Sequence, residues 1–345
     1  MFINIKTLFM NKIEWVDTLR VIATISVILL HVAAPGVVSL GTIEMYDWNV
    51  ANIFDSSVRF CVPVFVMITG IFLLNKDYDI KDFVTNKLFK IIIPFLFFSI
   101  IYILYTYGIQ RIYNFDLKDL PSYALKSIVH GSYYHLWYIY MLIGLYLITP
   151  ILRIYTKNAT KNNLKYFLIL WFIFNSVNNY SLNSYFPNFQ ISIFANYTGF
   201  YILGFYLSKY NTITFIQGLI LYISGTIITI AGTYYFAVKD NYFNEMFYSY
   251  QSFNIILQSI GIYIIIFKSD IRNKLVKTTV NLLSKHSFNI YLIHALILSL
   301  LITYGMTWDF ISPTIGILTS TIVCLLLSLL TSVIIKSIPG LNKYL

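Results

Sequence analysis

Long apolar runs, separated by short clusters of lysine, asparagine and aspartate, occupy the chain from about residue 18 to about residue 335. Each run approaches the roughly 20 residues that a helix needs to cross a hydrocarbon core. Set against the polar punctuation, the runs predict ten helices, near 18–38, 51–74, 91–109, 134–152, 166–180, 191–208, 214–236, 251–267, 286–305 and 312–335. No repeat, low-complexity tract or linker interrupts them. The longest connections, about 109–133, 237–250 and 268–285, are too short to fold alone. The expectation is a single all-α integral membrane domain over residues 1–345.

Composition agrees. Of 345 residues, 58% are hydrophobic and only 11% are charged, whereas a soluble chain carries about 25% charged residues. A soluble enzyme is excluded on that ground. The net charge of +10 would suggest nucleic acid in a soluble domain, but the cations alternate with the spans. Eighteen fall on one side: Lys6 and Lys12, the Lys76–Lys90 group, the Arg153–Lys165 group, Lys209, the Lys268–Lys285 group, Lys336 and Lys343. Four fall on the other: Arg111, Lys118, Lys126 and Lys239. That bias predicts both termini in the cytoplasm. Cys61 and Cys324 lie in apolar stretches without metal or redox spacing and read as buried thiols. Arg20 and His31 interrupt the apolar core that a cleaved signal peptide would need, so the first span is retained, with Met10 an alternative start.

An ionisable side chain within a span costs about 2.5–3.5 kcal/mol or more and ordinarily faces a cavity or a partner. His31 follows Arg20 by eleven helical steps, which is three turns plus about 20° of helix. Both therefore lie on one face, with Thr24 one turn above Arg20 and Asp17 one turn below. The second span carries Asp55 and Arg59 four residues apart, again on one face. Counted from the far boundary, Arg59 and His31 sit at matching depth, so they can meet in one layer. The alternative is a structural Asp55–Arg59 pair beside a packing histidine. His135 and Trp137 open the fourth span, where an ordinary aromatic belt is the competing reading. Tyr291 and His294 share a face of the ninth span, with Ser284 and His286 at its cytoplasmic mouth and a histidine bonded to a neighbouring hydroxyl as the alternative. His130, in an outer loop, reads as merely solvated.

A histidine is a usable base at neutral pH, and a buried arginine stays charged and can hold phosphate or a developing oxyanion. No HExxH, CxxC or carboxylate cluster offers a metal site, and neither a GxSxG elbow nor a GxxxxGK[ST] loop is present. The residues suggest transfer from a polyanionic cytosolic donor to a hydroxyl acceptor across the bilayer. Proton-coupled transport would use similar groups.

The Arg20–x10–His31 spacing, after Trp15-Val-Asp17, resembles the acyltransferase-3 family of integral membrane acyltransferases. So do Arg59-Phe-Cys-Val-Pro63 through Thr69-Gly70, Tyr134-His135-Leu136-Trp137-Tyr138, Leu147-Ile-Thr-Pro150, Tyr250-Gln-Ser252 and Ser284 through His294. Order and spacing agree over essentially the whole chain. The likeness extends to surface-polysaccharide O-acyltransferases, the enterobacterial common antigen O-acetyltransferase among them. Thr69 replaces a usual serine, Asn289 stands where glycine is common, and Asp55 stands where relatives carry an uncharged polar residue.

The resemblance implies acetyl-CoA or another acyl-CoA as donor substrate, with no permanently bound cofactor and no metal. It implies a sugar hydroxyl of an envelope glycan or lipid-linked precursor as acceptor, and a multi-pass protein of the cell membrane. Under it, His31 is the general base or a transient acyl carrier, and Arg59 stabilises the oxyanion or orients the acyl group. Arg20 anchors the coenzyme A phosphates with Asp17 positioning its guanidinium, while His135, Trp137, Tyr291 and His294 line the acceptor site. Two competing readings are a transporter or flippase for the glycan and a sensor or partner subunit with structural histidines. The spans show no pair of matching broken helices in two halves, which weighs against the transporter.

Overall fold

The computed structural model describes residues 14–110, 118–179, 196–240 and 242–339. Lys6, Lys12, Arg111, Lys343, the alternative start Met10 and the 191–195 edge of the sixth predicted span lie outside these residues. Helices α1 (Glu14–Val38), α2 (Met45–Val58) and α3 (Cys61–Leu74) come first. A short turn, Ile80–Phe83, then passes through a π turn, Val84–Leu88, into α4 (Phe89–Gln110). After α5 (Leu120–His130), a single 3₁₀ turn, Tyr134–Leu136, leads into α6 (Trp137–Asn158). The remainder is α7 (Lys161–Asn179), α8 (Tyr197–Tyr210), α9 (Phe215–Asp240), α10 (Phe253–Lys268), α11 (Lys274–Thr303) and α12 (Pro313–Ser337). No strand occurs among the described residues.

Every predicted span has a helical counterpart, and among the described residues eight segments are long and apolar enough to cross a membrane. The counterparts of 166–180 and 191–208 fall short of that standard. The segment expected at 51–74 begins earlier, at Met45, and is broken at Arg59-Phe60. The break has a local cause: Pro63 lacks an amide proton, and in a continuous helix its ring would press on the carbonyl of Arg59. In the first turn of α3 that missing donor costs nothing. All three long connections are partly helical, the 237–250 one through a 3₁₀ turn at Glu245–Tyr248. Leu120–His130 forms α5, and α11 begins at Lys274, so Ser284 and His286 lie on a helix rather than at its mouth.

Helix α1 is the hub, packing against α2, α3, α10, α11 and α12. Its first turn carries Glu14 and Asp17, favourably placed at the positive end of the helix dipole. Glu14 pairs with Lys277 of α11 at 2.8 Å. The main apolar core runs from Val16 and Leu19 through Met67 and Tyr201 to Leu292. Where α3 crosses α8, backbone meets backbone. A Cβ added at Gly70 would stand 1.9 Å from the Tyr201 carbonyl oxygen, and one at Gly204 would stand 2.1 Å from that of Met67. Lipid supplies little hydrophobic drive for helix association, so such close approach is what holds membrane helices together.

Gly204→Ala is expected to lower stability by about 1–3 kcal/mol, the usual cost of overpacking. Gly108→Ala, with nothing within 4 Å of the added carbon, is expected to be neutral. Thermal unfolding of the two detergent-solubilised variants checks the contrast.

Candidate functional site

Two separate cavities open along α1, one around each end of its polar stripe. Arg20 lines the first, a space of about 320 Å³, together with Thr69, Lys87, Lys90, Tyr138, Tyr146 and Tyr291. Arg20 Nη1 donates to Asp17 Oδ1 at 3.0 Å and to Ser284 Oγ at 3.0 Å, and Ser284 donates its proton to Asp17 Oδ1 at 2.6 Å. The guanidinium is thus held on one edge by a carboxylate and a hydroxyl while its plane sits 5.6 Å from the Phe72 ring. Asp17 makes the contact expected of it but is not itself part of the cavity wall. Lys87 and Lys90, tallied in the sequence only as surface cations, add two charges to this cavity. Their signal was spacing: three residues apart, they share a helix face.

His31 lines the second cavity, about 540 Å³, with Asp55, Arg59, Trp137, Tyr197, Tyr248, Tyr250 and Gln251. His31 and Arg59 therefore do meet in one layer. Asp55, fully buried, accepts from Arg59 Nε at 2.5 Å and from Nη2 at 2.8 Å. The Arg59 guanidinium also lies over the Tyr248 ring, 4.0 Å from its centroid. The Tyr248 hydroxyl in turn donates to Asn52 Oδ1 at 2.7 Å. Arg59 Nη1 has no hydrogen-bond partner among the described residues, which leaves one amino group available to the cavity. The paired reading of Asp55 and Arg59 and the cavity reading thus both hold, because a bidentate pair uses only two of the guanidinium's three nitrogens.

Trp137 belongs to the His31 cavity, stacked 5.9 Å from Tyr250 with 26° between the rings. Tyr291 belongs instead to the Arg20 cavity. His135 and His294 line neither cavity. They are 1% and 0% exposed and stand in the wall between the two. This corrects the expectation that all four line one space: His135 precedes the first turn of α6 and turns inward, where a ring beside α11 is buried. His294 stacks on His31 at 5.4 Å and 27°, and its ring is 5.0 Å from that of His135. The Tyr291 hydroxyl donates to the His135 backbone carbonyl, which pins the wall together.

The tautomers follow from partners. His294 Nδ1 lies 2.6 Å from the Tyr291 carbonyl oxygen, and His135 Nε2 lies 3.4 Å from the Leu292 carbonyl oxygen. A carbonyl only accepts, so these nitrogens carry the protons and the opposite ones are bare lone pairs. Those bare atoms, His294 Nε2 and His135 Nδ1, are buried without a partner. The local ladder of α11 is also unusual. The Tyr102 hydroxyl accepts from Leu296 N–H at 3.1 Å and donates to the Leu292 carbonyl at 2.9 Å, bridging one rung. His286 stands apart from the site and bonds Ser332 Oγ at 2.8 Å, tying α11 to α12. His130 is exposed at the end of α5. Both cysteines are buried and unbonded to one another. Among the described residues, no group of three or more His, Cys, Asp or Glu is placed to hold a metal ion.

These features define an all-α integral membrane protein with a polar seam inside its bundle and a cavity at each end of that seam. Residues 13–335 match the family model described as an acyltransferase domain, and the chain belongs to this acyltransferase-3 family. The match spans the seam, both cavities and the histidine wall, and makes the protein a membrane acyltransferase. No curated protein and no solved structure matches the chain.

Removing Asp55 leaves a buried guanidinium without its counter-charge. Asp55→Ala is expected to cost about 3–5 kcal/mol, and Asp55→Leu combined with Arg59→Met to recover most of it, since an apolar pair of similar volume tolerates burial. Thermal unfolding of the single and double variants measures both.

Proposed function

We propose that the protein is a membrane O-acyltransferase, most simply an O-acetyltransferase, of the bacterial cell membrane. It moves an acyl group from cytosolic acyl-CoA to a sugar hydroxyl of a cell-envelope polysaccharide or its lipid-linked precursor. The observation that carries this reading is the pair of cavities of opposite character, separated by a wall of histidine and tyrosine. The cation bias of the loops supports a cytoplasmic Arg20 end and cytoplasmic termini. Arg20, Lys87 and Lys90 then form a three-cation mouth suited to the phosphates of coenzyme A. The His31 cavity faces the other side and offers stacked aromatic rings, Trp137 and Tyr250, as a platform for a sugar face.

The chemistry is nucleophilic attack of a hydroxyl on a thioester. The acceptor oxygen forms a bond to the acyl carbon, the carbon–sulfur bond breaks, and coenzyme A leaves as the thiol. His31 takes the hydroxyl proton and returns it to the departing sulfur, so it is unchanged at the end. Arg59, already anchored by Asp55, directs its remaining amino group at the carbonyl oxygen where negative charge collects. Arg59 needs no reorganisation for this, because the carboxylate and the Tyr248 face fix its plane beforehand.

His31→Ala is expected to lower kcat at least about 10²-fold, the low end of what a general base contributes. Acyl transfer from acetyl-CoA in proteoliposomes is the measurement, and a wild-type rate rejects the assignment. Lys87→Ala with Lys90→Ala is expected instead to raise the KM for acyl-CoA with kcat little changed. Mass spectrometry of envelope glycans from cells with and without the protein identifies the acyl group and the acceptor. Glycans of unchanged mass would overturn the proposal as a whole.

A further inference from the structure

The wall between the cavities contains three imidazoles whose protons are not equally placed. His294 is wholly buried on α11, its Nδ1–H is committed to the Tyr291 carbonyl, and its Nε2 lone pair has no partner. His135 is arranged alike, with its Nε2 committed to the Leu292 carbonyl and its Nδ1 bare. Neither can donate to the other. His31, partly open to the second cavity, makes no hydrogen bond with any described residue, and its ring lies nearly parallel to that of His294. An unpaired buried lone pair is costly, and His31 is the neighbouring imidazole with an N–H to offer it. The two ring centroids are 5.4 Å apart, so turning the open His31 ring about its side-chain bonds brings its N–H to the His294 lone pair.

We propose that His294 is a positioning residue for His31: its Nε2 accepts the His31 N–H and so leaves the other His31 nitrogen bare toward the second cavity. The inference rests on the reading of His31 as the base and supplies what that reading lacks, a reason for His31 to present a lone pair rather than a proton to the acceptor. In the carboxylate–histidine pairs of hydrolases, an acidic group fixes the tautomer of the base. Among the described residues the one buried carboxylate, Asp55, is spent on Arg59, and a neutral imidazole takes that part. When His31 accepts the hydroxyl proton it carries one positive charge, and the His294 lone pair stabilises that ion without becoming protonated. The proton goes back to the sulfur by the same nitrogen.

The test measures lone-pair presentation without any substrate. Diethylpyrocarbonate acylates an unprotonated, accessible imidazole nitrogen. The full-length protein in proteoliposomes is treated with it, and modification of His31 is followed by peptide mass spectrometry. His31 of the wild type is expected to react while His294 does not. His294→Ala is expected to slow His31 labelling at least about threefold, because its tautomer and ring angle are no longer fixed. His294→Gln, whose side-chain oxygen can accept in place of Nε2, is expected to restore the rate, whereas the shorter His294→Asn is not. Thermal unfolding confirms that each variant is folded, and if the alanine variant is not, the Gln–Asn contrast decides. Labelling of His31 that is unchanged or faster in a folded His294→Ala or His294→Asn protein overturns the proposal. Because this readout involves neither thioester nor glycan, it stands or falls separately from the acyl-transfer reading. In the transfer assay, His294→Ala is expected to lower kcat with KM for acetyl-CoA unchanged.

Discussion

A guanidinium cannot sit unpaired inside an apolar bundle, and the arrangement around Arg59 answers that constraint. Its counter-charge comes from one turn earlier on the same helix, through two bonds of 2.5 and 2.8 Å, and an aromatic face comes from Tyr248. Four residues after Arg59, Pro63 ends the helix, so α2 and α3 meet at the arginine rather than running past it. One local sequence, Asp55 to Pro63, thereby sets the charge, its neutralisation and the change of direction. The second cavity forms against this corner, with α1 bringing His31 to the opposite side.

The same economy governs the other end of the stripe. Arg20 is balanced by Asp17 from its own helix and by Ser284 from α11, so the first cavity keeps a cation whose orientation is set by two independent elements. Between the ends the charge is replaced by neutral imidazoles and phenols. That gradation, from charged mouth to neutral wall to paired arginine, is what a low-dielectric interior tolerates at each depth.

Much of this was legible in the chain. Ionisable residues inside apolar spans stand out because each is costly, and Arg20, His31, Asp55 and Arg59 all proved to line cavities or hold those that do. Helical periodicity placed Arg20 and His31 on one face, and the structure uses that face. What could not be read is whatever depends on which spans become neighbours. His31, His135 and His294 were each notable alone, yet no spacing announces that residues from α1, the turn before α6 and α11 converge. Their backbone partners, Tyr291 and Leu292, are invisible to any motif. Lys87 and Lys90 looked like ordinary loop cations, because whether a flanking lysine faces water or a cavity is a tertiary matter. The α2–α3 break was signalled by Pro63 but masked by the evenness of the hydrophobic run. Helix α5 has only 11 residues and buries none of them, so no apolar run of spanning length announces it.

The crossing of α3 over α8 at Gly70 and Gly204 has a mechanical corollary. Carbonyls there already touch the opposing helix, so α3 can neither retreat nor rotate without tearing the crossing apart. The side of the first cavity built by Phe65, Ile68 and Thr69 is accordingly a fixed jaw. Any adaptation of that chamber to a bulkier occupant has to come from the opposite jaw, where Ile91, Leu142 and Tyr146 project from helices with no such backbone lock. The side of this chamber that can give is therefore the one on α4 and α6.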